Sequence, residues 1–404
     1  MTLTPLDQPH LRGIYRFDAV RRLAAVSLLL VACLAAPAGA LAQEPPSFRA
    51  DAVVVADGET GEILFERSAV RSLPIASLTK IMTALLTLEH ARPNERVTVK
   101  GRAPSIGEST IHLQVGERIR VRDLLAAALV QSANDAAYAL ASYVGEGSVK
   151  KFVRLMNERA DELGLAGTHF VRPDGLDVPD HYSTALDVLD LSREAMKLPL
   201  FRRLVRLRGG TIAGGRSLYA WNDLLRTRSY PGIIGVKTGH TDAAGWSQVA
   251  AAKRDGITIY AVLLGAPTRA QRNRDLAQLL DWGFGHYGRV TLVRGDRVYA
   301  TAAKPFSDER LPLVAAGPAE AVVRLGRPLI ERVVAETVVD LPVEAGDKVG
   351  EIVVLDGARV VSRRALVAAH AADDASVGDK VGWYAGRALD EAGEMLDSVF
   401  EALG

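Results

Sequence analysis

The chain has 404 residues, 48% hydrophobic and 24% charged, the balance of a soluble globular protein with too much chain for one ordinary core. Lys and Arg number 49 against 48 Asp and Glu, a net charge of +1, so there is no broad basic field for nucleic acid. The eight histidines, among them His112, His169, His181 and His240, show neither H-E-x-x-H nor another paired spacing, which argues against a zinc peptidase, and no metal or cofactor is expected.

The first segment departs from the rest. Arg12, Arg16, Arg21 and Arg22 precede an apolar stretch at 23–36, and small residues follow to Ala40-Leu41-Ala42. A positive n-region, a short apolar h-region and an A-x-A site are the layout of a secretory signal. Residues 1–42 are therefore expected to be removed, leaving the protein in the periplasm or on the outer face of the cytoplasmic membrane. A membrane-spanning helix needs ~20 apolar residues, and Pro37 and Gly39 interrupt this one. Three alternatives stay open: a buried N-terminal helix, a twin-arginine signal at Arg21-Arg22, and a lipoprotein signal at Leu30-Val31-Ala32-Cys33 with Cys33 lipidated. Cleavage after Ala42 takes the net charge from +1 to about −1 and removes Cys33, the single cysteine, so neither disulfide nor thiol nucleophile remains.

Residues 43–288 read as the first domain. Ala52-Val53-Val54-Val55-Ala56, a turn at Asp57-Gly58, and Gly61-Glu62-Ile63-Leu64-Phe65 predict a hairpin. Ile81, Ala84, Leu85 and Leu88 fall on one helical face, and Leu124, Leu125, Ala128 and Leu129 repeat that pattern before Ser132. Helices are also expected at 136–144 and 152–163, the second closed by Gly164. Ile233-Ile234-Gly235-Val236 is a short strand running into Lys237. Strands at 247–253 and 257–264 are joined across Arg254-Asp255-Gly256, where Asp-Gly supplies the positive φ of a tight turn. Strands open the region, helices fill it and strands close it, which is an α+β fold with an antiparallel sheet flanked by helices. Residues 289–370 carry short valine-rich runs (290–293, 321–325, 333–338, 351–355, 359–361) between Gly, Pro and Asp turns, a small all-β domain. Ala371-Ala372-Asp373-Asp374 begins a linker within 371–404. A final amphipathic helix follows, with Val381, Tyr384, Ala388, Met395, Val399 and Leu403 on one face, widened by Trp383, Leu389, Leu396 and Phe400.

Three motifs occur in order: Ser77-Leu78-Thr79-Lys80, Ser132-Ala133-Asn134 and Lys237-Thr238-Gly239. Ser and Lys three apart on a helix share one face. A serine hydroxyl is a weak nucleophile that needs a base, and a lysine becomes one when burial and nearby positive charge lower its pKa. Pro74-Ile75-Ala76 suits a helix start, where amides and dipole favour developing negative charge. S-x-x-K alone is weak evidence, since Ser148-Val149-Lys150-Lys151 also matches; Gly145 and Gly147 mark that copy as a loop. Ser132 could relay a proton and Asn134 grip a substrate backbone. Lys237 and Thr238, at a strand end, could hold a carboxylate, and Gly239 lets a ligand approach the backbone. Each motif alone has a bland reading, as a turn or a solvated strand edge. Their order and placement on helix, turn and strand make coincidence improbable.

The surrounding residues resemble low-molecular-mass penicillin-binding proteins, the serine-type D-alanyl-D-alanine carboxypeptidases of the peptidase S11 family. The resemblance lies in Ile75-Ala76-Ser77-Leu78-Thr79-Lys80-Ile81-Met82-Thr83-Ala84, in Pro173-Asp174-Gly175-Leu176-Asp177 with His181-Tyr182-Ser183-Thr184-Ala185, and in Gly235-Val236-Lys237-Thr238-Gly239-His240-Thr241-Asp242 followed by Ala244-Gly245-Trp246. It implies Ser77 as acylated nucleophile, Lys80 as base, Ser132 as proton shuttle and Asn134 as substrate-orienting amide. Lys237, Thr238, Gly239 and an arginine after the last strand, Arg272 before Arg269, would hold the terminal carboxylate. The oxyanion would meet the amides of Ser77 and His240. The implied substrate is a peptidoglycan stem peptide ending in D-Ala-D-Ala, with β-lactams as covalent inhibitors. The implied placement of the last helix, over 376–404, is the membrane surface. Asp379, Asp390, Glu391, Glu394, Asp397 and Glu401 outnumber Lys380 and Arg387 there, which fits a helix packed on protein instead. A DD-endopeptidase, a non-catalytic penicillin-binding sensor and a β-lactamase share the motifs. The β-lactamase is disfavoured because 170–187 holds Asp174, Asp177, Asp180 and Asp187 but no Glu to activate a water.

Overall fold

The computed structural model describes Leu28–Leu34 and residues 44–403. It divides into two compact units, one ending at Gly288 and the other running from Arg289 and including Leu28–Leu34.

In the first unit, β1 (Ala52–Asp57), β2 (Ile63–Arg67), β3 (Ile233–Thr241), β4 (Gly245–Arg254) and β5 (Ile257–Ala266) form one antiparallel sheet in the order β2-β1-β5-β4-β3. Every residue of β1 is buried. Its apolar run does not alternate because both faces of the sheet are covered. Ala52, Val54 and Ala56 join a large core with the helices, while Val55 and Ile259 face Gly283 on the closing helix, Arg269–Gly285. A Cβ at Gly283 would lie 2.8 Å from Ile259, so glycine sets how closely that helix lies on the sheet. The helical block contains α1 (Lys80–His90), α2 (Asn134–Val144) and α3 (Val149–Glu162), whose inward apolar stripes join that core. The strand β3 is an edge of the sheet, and it packs against the turn Ala76–Thr79 that leads into α1.

The loop expected around the second S-x-x-K is a helix start instead. The Ser148 hydroxyl accepts the Lys151 N–H at 3.2 Å and caps α3, while Lys151 pairs with Glu146 in solvent. Sequence reading missed the cap because the first turn, Val149 to Lys151, adds little to the apolar face.

The second unit is all-β apart from its last helix. A six-stranded sheet runs Leu28–Leu34, Leu329–Ala335, Lys348–Asp356, Arg359–Ala368, Arg310–Ala315, Val298–Ala303, over a core that includes Leu311, Leu313, Ile352, Val354 and Leu366. Ala372, expected in a linker, is buried and bridges to Val343. The part of the expected leader that is described, Leu28–Leu34, is extended and pairs antiparallel with Leu329–Ala335, so its backbone is not the helix kept open as an alternative. The four leader arginines and Ala40-Leu41-Ala42 lie outside the described residues. The helix Val377–Leu403 leaves Val381, Tyr384, Leu389, Met395 and Leu396 exposed, with Tyr384 edge-on to Phe306 near its start. These described residues of its apolar face are not buried on protein. Among the described residues no helix is long and apolar enough to cross a membrane.

Candidate active site

Ser77 sits in a single 3-10 turn, Ala76–Thr79, that runs directly into α1 at Lys80. A 3-10 turn has three residues per revolution, so Ser77 and Lys80 eclipse one another more closely than in an α-helix. Ala76 has φ +47°, a left-handed backbone that aims the turn, and among the described residues no acceptor is recorded for the Ser77 N–H.

Lys80 is completely buried and its Nζ makes three hydrogen bonds of 2.7 Å: to Ser77 Oγ, to Asn134 Oδ1 and to the Asp174 carbonyl. Burial pushes its pKa down from 10.5 to about 8, with Arg172 adding to the shift and Asp174, Glu108 and Asp135 opposing it. Two of its partners, the amide oxygen and the carbonyl, can only accept. A neutral amine that donates to both turns its lone pair to the third partner, the Ser77 hydroxyl. That is the arrangement of a base beside its nucleophile.

The second half of the site comes from the edge strand. Lys237 is 2% exposed, and Nζ donates to Ser132 Oγ at 2.9 Å and to the Thr238 carbonyl at 2.8 Å. Burial, then the charges of Lys80 and Arg272, hold its pKa well below the ordinary value, and a bound anion would act against that shift. Ser132 ends a π-helical turn, Ala127–Gln131, in the left-handed conformation (φ +66°), and Asn134 opens α2 immediately after it. Gly239 passes so close to the nucleophile turn that a Cβ there would lie 2.9 Å from the Ile75 carbonyl and 3.2 Å from the Ser77 nitrogen.

Ser77, Ser132, Asn134, Thr238, Gly239, His240 and Arg272 line one cleft of about 210 Å³, with the Lys80 and Lys237 amines hydrogen-bonded to two of its serines. Sequence reading placed the arginine in a loop. It stands on the first turn of Arg269–Gly285, almost fully buried, its guanidinium 5.7 Å from the Trp246 ring centroid. Arg269 is held away by a two-point ion pair with Asp223, whose carboxyl stays well below the usual range because these hydrogen bonds outweigh its burial. The exposed His240 ring stacks on Trp246 at 3.9 Å.

Sequence reading missed Glu108, Ser109, Trp221 and Trp246 as cleft walls. It also named His181 only among the histidines without zinc spacing and within the stretch His181-Tyr182-Ser183-Thr184-Ala185. His181 Nδ1 accepts the Val171 N–H at 3.0 Å, so Nε2 carries the proton and donates to Thr79 Oγ1 at 2.8 Å, while Thr79 donates to the Ala76 carbonyl. Burial pushes the His181 pKa down to about 4, so the ring is a neutral brace behind the nucleophile turn across the physiological range. Its nearness to His169 and Tyr182 in the chain gave no such signal.

The Pro173-Asp174-Gly175 stretch also acts through its backbone. The Pro173 carbonyl accepts from Thr83, the Asp174 carbonyl accepts from Lys80, and the Asp174 carboxylate is held by Arg172 at 2.5 and 2.9 Å. Among the described residues no group of three or more His, Cys, Asp and Glu is placed to hold a metal ion.

The family model described as D-alanyl-D-alanine carboxypeptidase, peptidase S11, matches residues 39–268. The chain is 31% identical over 344 residues to the D-alanyl-D-alanine carboxypeptidase DacC of Escherichia coli, covering 80% of this chain and 84% of that protein. It is similar in structure to penicillin-binding protein 6B from Escherichia coli (TM-score 0.59, 28% identity, 81% of this chain and 98% of that one). It is also similar to penicillin-binding protein D2 of Listeria monocytogenes in its ampicillin-bound form (TM-score 0.53, 34% identity, 59% and 98%). With the expected sheet, helices and β domain all present, the chain belongs to the peptidase S11 family of serine D-alanyl-D-alanine carboxypeptidases.

Proposed function

We propose that the chain releases the terminal D-alanine of peptidoglycan stem pentapeptides through an ester on Ser77, and that β-lactams are trapped at the same hydroxyl. The observation that carries this is the buried Lys80 amine, 2.7 Å from Ser77 Oγ with its other two partners restricted to accepting. Ser77 gives its proton to Lys80 and attacks the carbonyl, and the oxyanion forms beside the Ser77 and His240 amides. Ser132, bonded to Lys237, relays that proton from Lys80 to the departing D-alanine nitrogen, which leaves Lys80 neutral again. Lys237, Thr238 and Arg272 hold the terminal carboxylate by charge-assisted bonds. Water then cleaves the ester.

Release of a β-lactam is slow on this reading because Asp174, Asp177 and Asp187, in the 170–187 stretch where a β-lactamase carries its water-activating Glu, are occupied. Asp174 is paired with Arg172, Asp177 takes the Thr241 hydroxyl and the Ala243 N–H, and Asp187 holds Gly167 and Thr168. Intact mass after benzylpenicillin should therefore show one adduct per chain, mapped to the Ser77 peptide and absent in Ser77→Ala. Catalytic turnover of penicillin, or a label elsewhere, overturns the assignment. The same spectrum reports export. Cleavage after Ala42 gives a chain beginning at Gln43, which removes Leu28–Leu34 and leaves Leu329–Ala335 as a sheet edge, whereas a lipidated Cys33 gives a heavier product.

The exposed apolar face of Val377–Leu403 supports peripheral contact with the outer face of the cytoplasmic membrane. Its acidic residues predict weak binding that depends little on anionic lipid. Truncation after Asp374 should move the protein from the pelleted to the free fraction with neutral phospholipid vesicles, and equal partitioning of both forms contradicts the membrane role.

A further inference from the structure

Glu108 lines the same cleft, where the charges of Lys80 and Arg172 feel it, and among the described residues its carboxylate takes part in no hydrogen bond or salt bridge. Its backbone is left-handed, φ +64°, an uncommon state for a residue with a side chain and one that concentrates at working sites. The strained residue is held from both sides. The Gly107 carbonyl accepts from Asn134 Nδ2 at 3.0 Å, and the Ser109 carbonyl accepts the Asn134 N–H at 2.7 Å. The Ser109 hydroxyl is tied to the Gln131 carbonyl at 2.8 Å. Asn134 in turn bonds Lys80. Glu108 is thus presented by a clamped loop beside the nucleophile, and its neighbour across the clamp is the base itself.

The carboxylates that act on Lys80 are Asp174, Glu108 and Asp135, whereas Lys237 feels only the cations Lys80 and Arg272. With the substrate carboxylate toward Thr238 and Arg272 and the scissile carbonyl over Ser77, the residue preceding the two D-alanines lies toward Asn134 and its loop. We propose that Glu108 selects stem peptides in which that preceding residue carries a side-chain ammonium. This rests on the carboxypeptidase reading above and names the peptide chemistry it favours. A peptide whose amine is already acylated, as in crosslinked wall, loses the contact, so uncrosslinked stems are preferred.

Two peptides ending in Lys-D-Ala-D-Ala, one with a free and one with an acetylated lysine amine, test this by D-alanine release. The parent should favour the free amine by about three- to tenfold in kcat/KM at low salt, the range of a partly exposed ion pair, with the preference shrinking at high salt. Glu108→Gln should bring the ratio to about one, and Glu108→Asp should leave part of it. A parent ratio near one overturns the proposal without recourse to any variant, as does a ratio unchanged in Glu108→Gln. If neither peptide is hydrolysed while Ser77 still takes up penicillin, the carboxypeptidase reading falls and this inference with it.

Discussion

Lys80→Met should slow acylation of Ser77 by fluorescent penicillin by about 10²–10⁴-fold, the usual contribution of a positioned base. Methionine fills a similar volume but cannot take the serine proton. The parent should show the counterpart in its pH dependence. Because burial lowers the Lys80 pKa to about 8, the second-order rate constant should rise about tenfold per pH unit from pH 6 to 7 and level off above about 8. The sign follows from the base being active only when neutral. The same shift affects stability in the same direction. The unfolded chain holds the Lys80 proton up to the ordinary 10.5 and the folded chain only to about 8, so this residue makes the fold more stable as pH rises through that window. A flat rate between pH 6 and 8, or a Lys80→Met protein within tenfold of its parent, contradicts the assignment of Lys80 as base.

Gly175→Ala should be the most damaging single methyl in the first unit. The added Cβ would fall 1.9 Å from the Ala76 carbonyl oxygen, 2.5 Å from its carbon and 2.6 Å from Thr79 Oγ1, at a position with φ +87°. The first two atoms are backbone of the nucleophile turn and cannot swing aside. The 173–175 segment must therefore lift, breaking the Thr83 bond to Pro173 and the Lys80 bond to Asp174. A loss of about 3 kcal/mol or more is expected, roughly 6–12 °C in Tm for a domain of this size, together with loss of penicillin labelling. Gly164→Ala is the matched control. It shares a left-handed backbone (φ +70°) but has nothing within 4 Å, so it should cost only about 1 kcal/mol and leave labelling intact. Equal melting temperatures for the two variants would show that the close approach is not a constraint.

The parts of this site legible in the sequence are those whose chemistry depends on residue type and short spacing. Ser77 with Lys80, Ser132 with Asn134, and Lys237 to Gly239 announce themselves because a nucleophile, a base and a carboxylate grip each need particular side chains. The continuous run at Ala52–Asp57 and the Asp255-Gly256 turn likewise foretell the antiparallel sheet. The contribution of Pro173 and Asp174 was hidden because it is made by carbonyl oxygens, which every residue has. His181 and Thr79 were hidden because their contact spans 102 residues of chain and no local pattern encodes it. Trp221 and Glu108 are single residues on loops, without a period to betray them. The Lys80 pKa could be anticipated in direction, since any base here must be buried, but its opposing charges come from Asp174, Glu108 and Asp135 on separate segments.

The wide turn at Ala127–Gln131 has a consequence for which changes this site can accept. The helix Val121–Ala126 opens there into π geometry, which accommodates one surplus residue before Ser132 reverses into the left-handed state. The side chains of Ala127 to Val130 are interchangeable so long as they stay apolar, because their work is to count residues, while Gln131 donates to the Thr110 carbonyl at 2.8 Å. Deleting any one of them would rotate everything downstream by ~100° about the helix axis and swing the Ser132 hydroxyl off Lys237. Insertions and deletions at this point are therefore far less tolerable than replacements, even though no atom of the turn itself reacts.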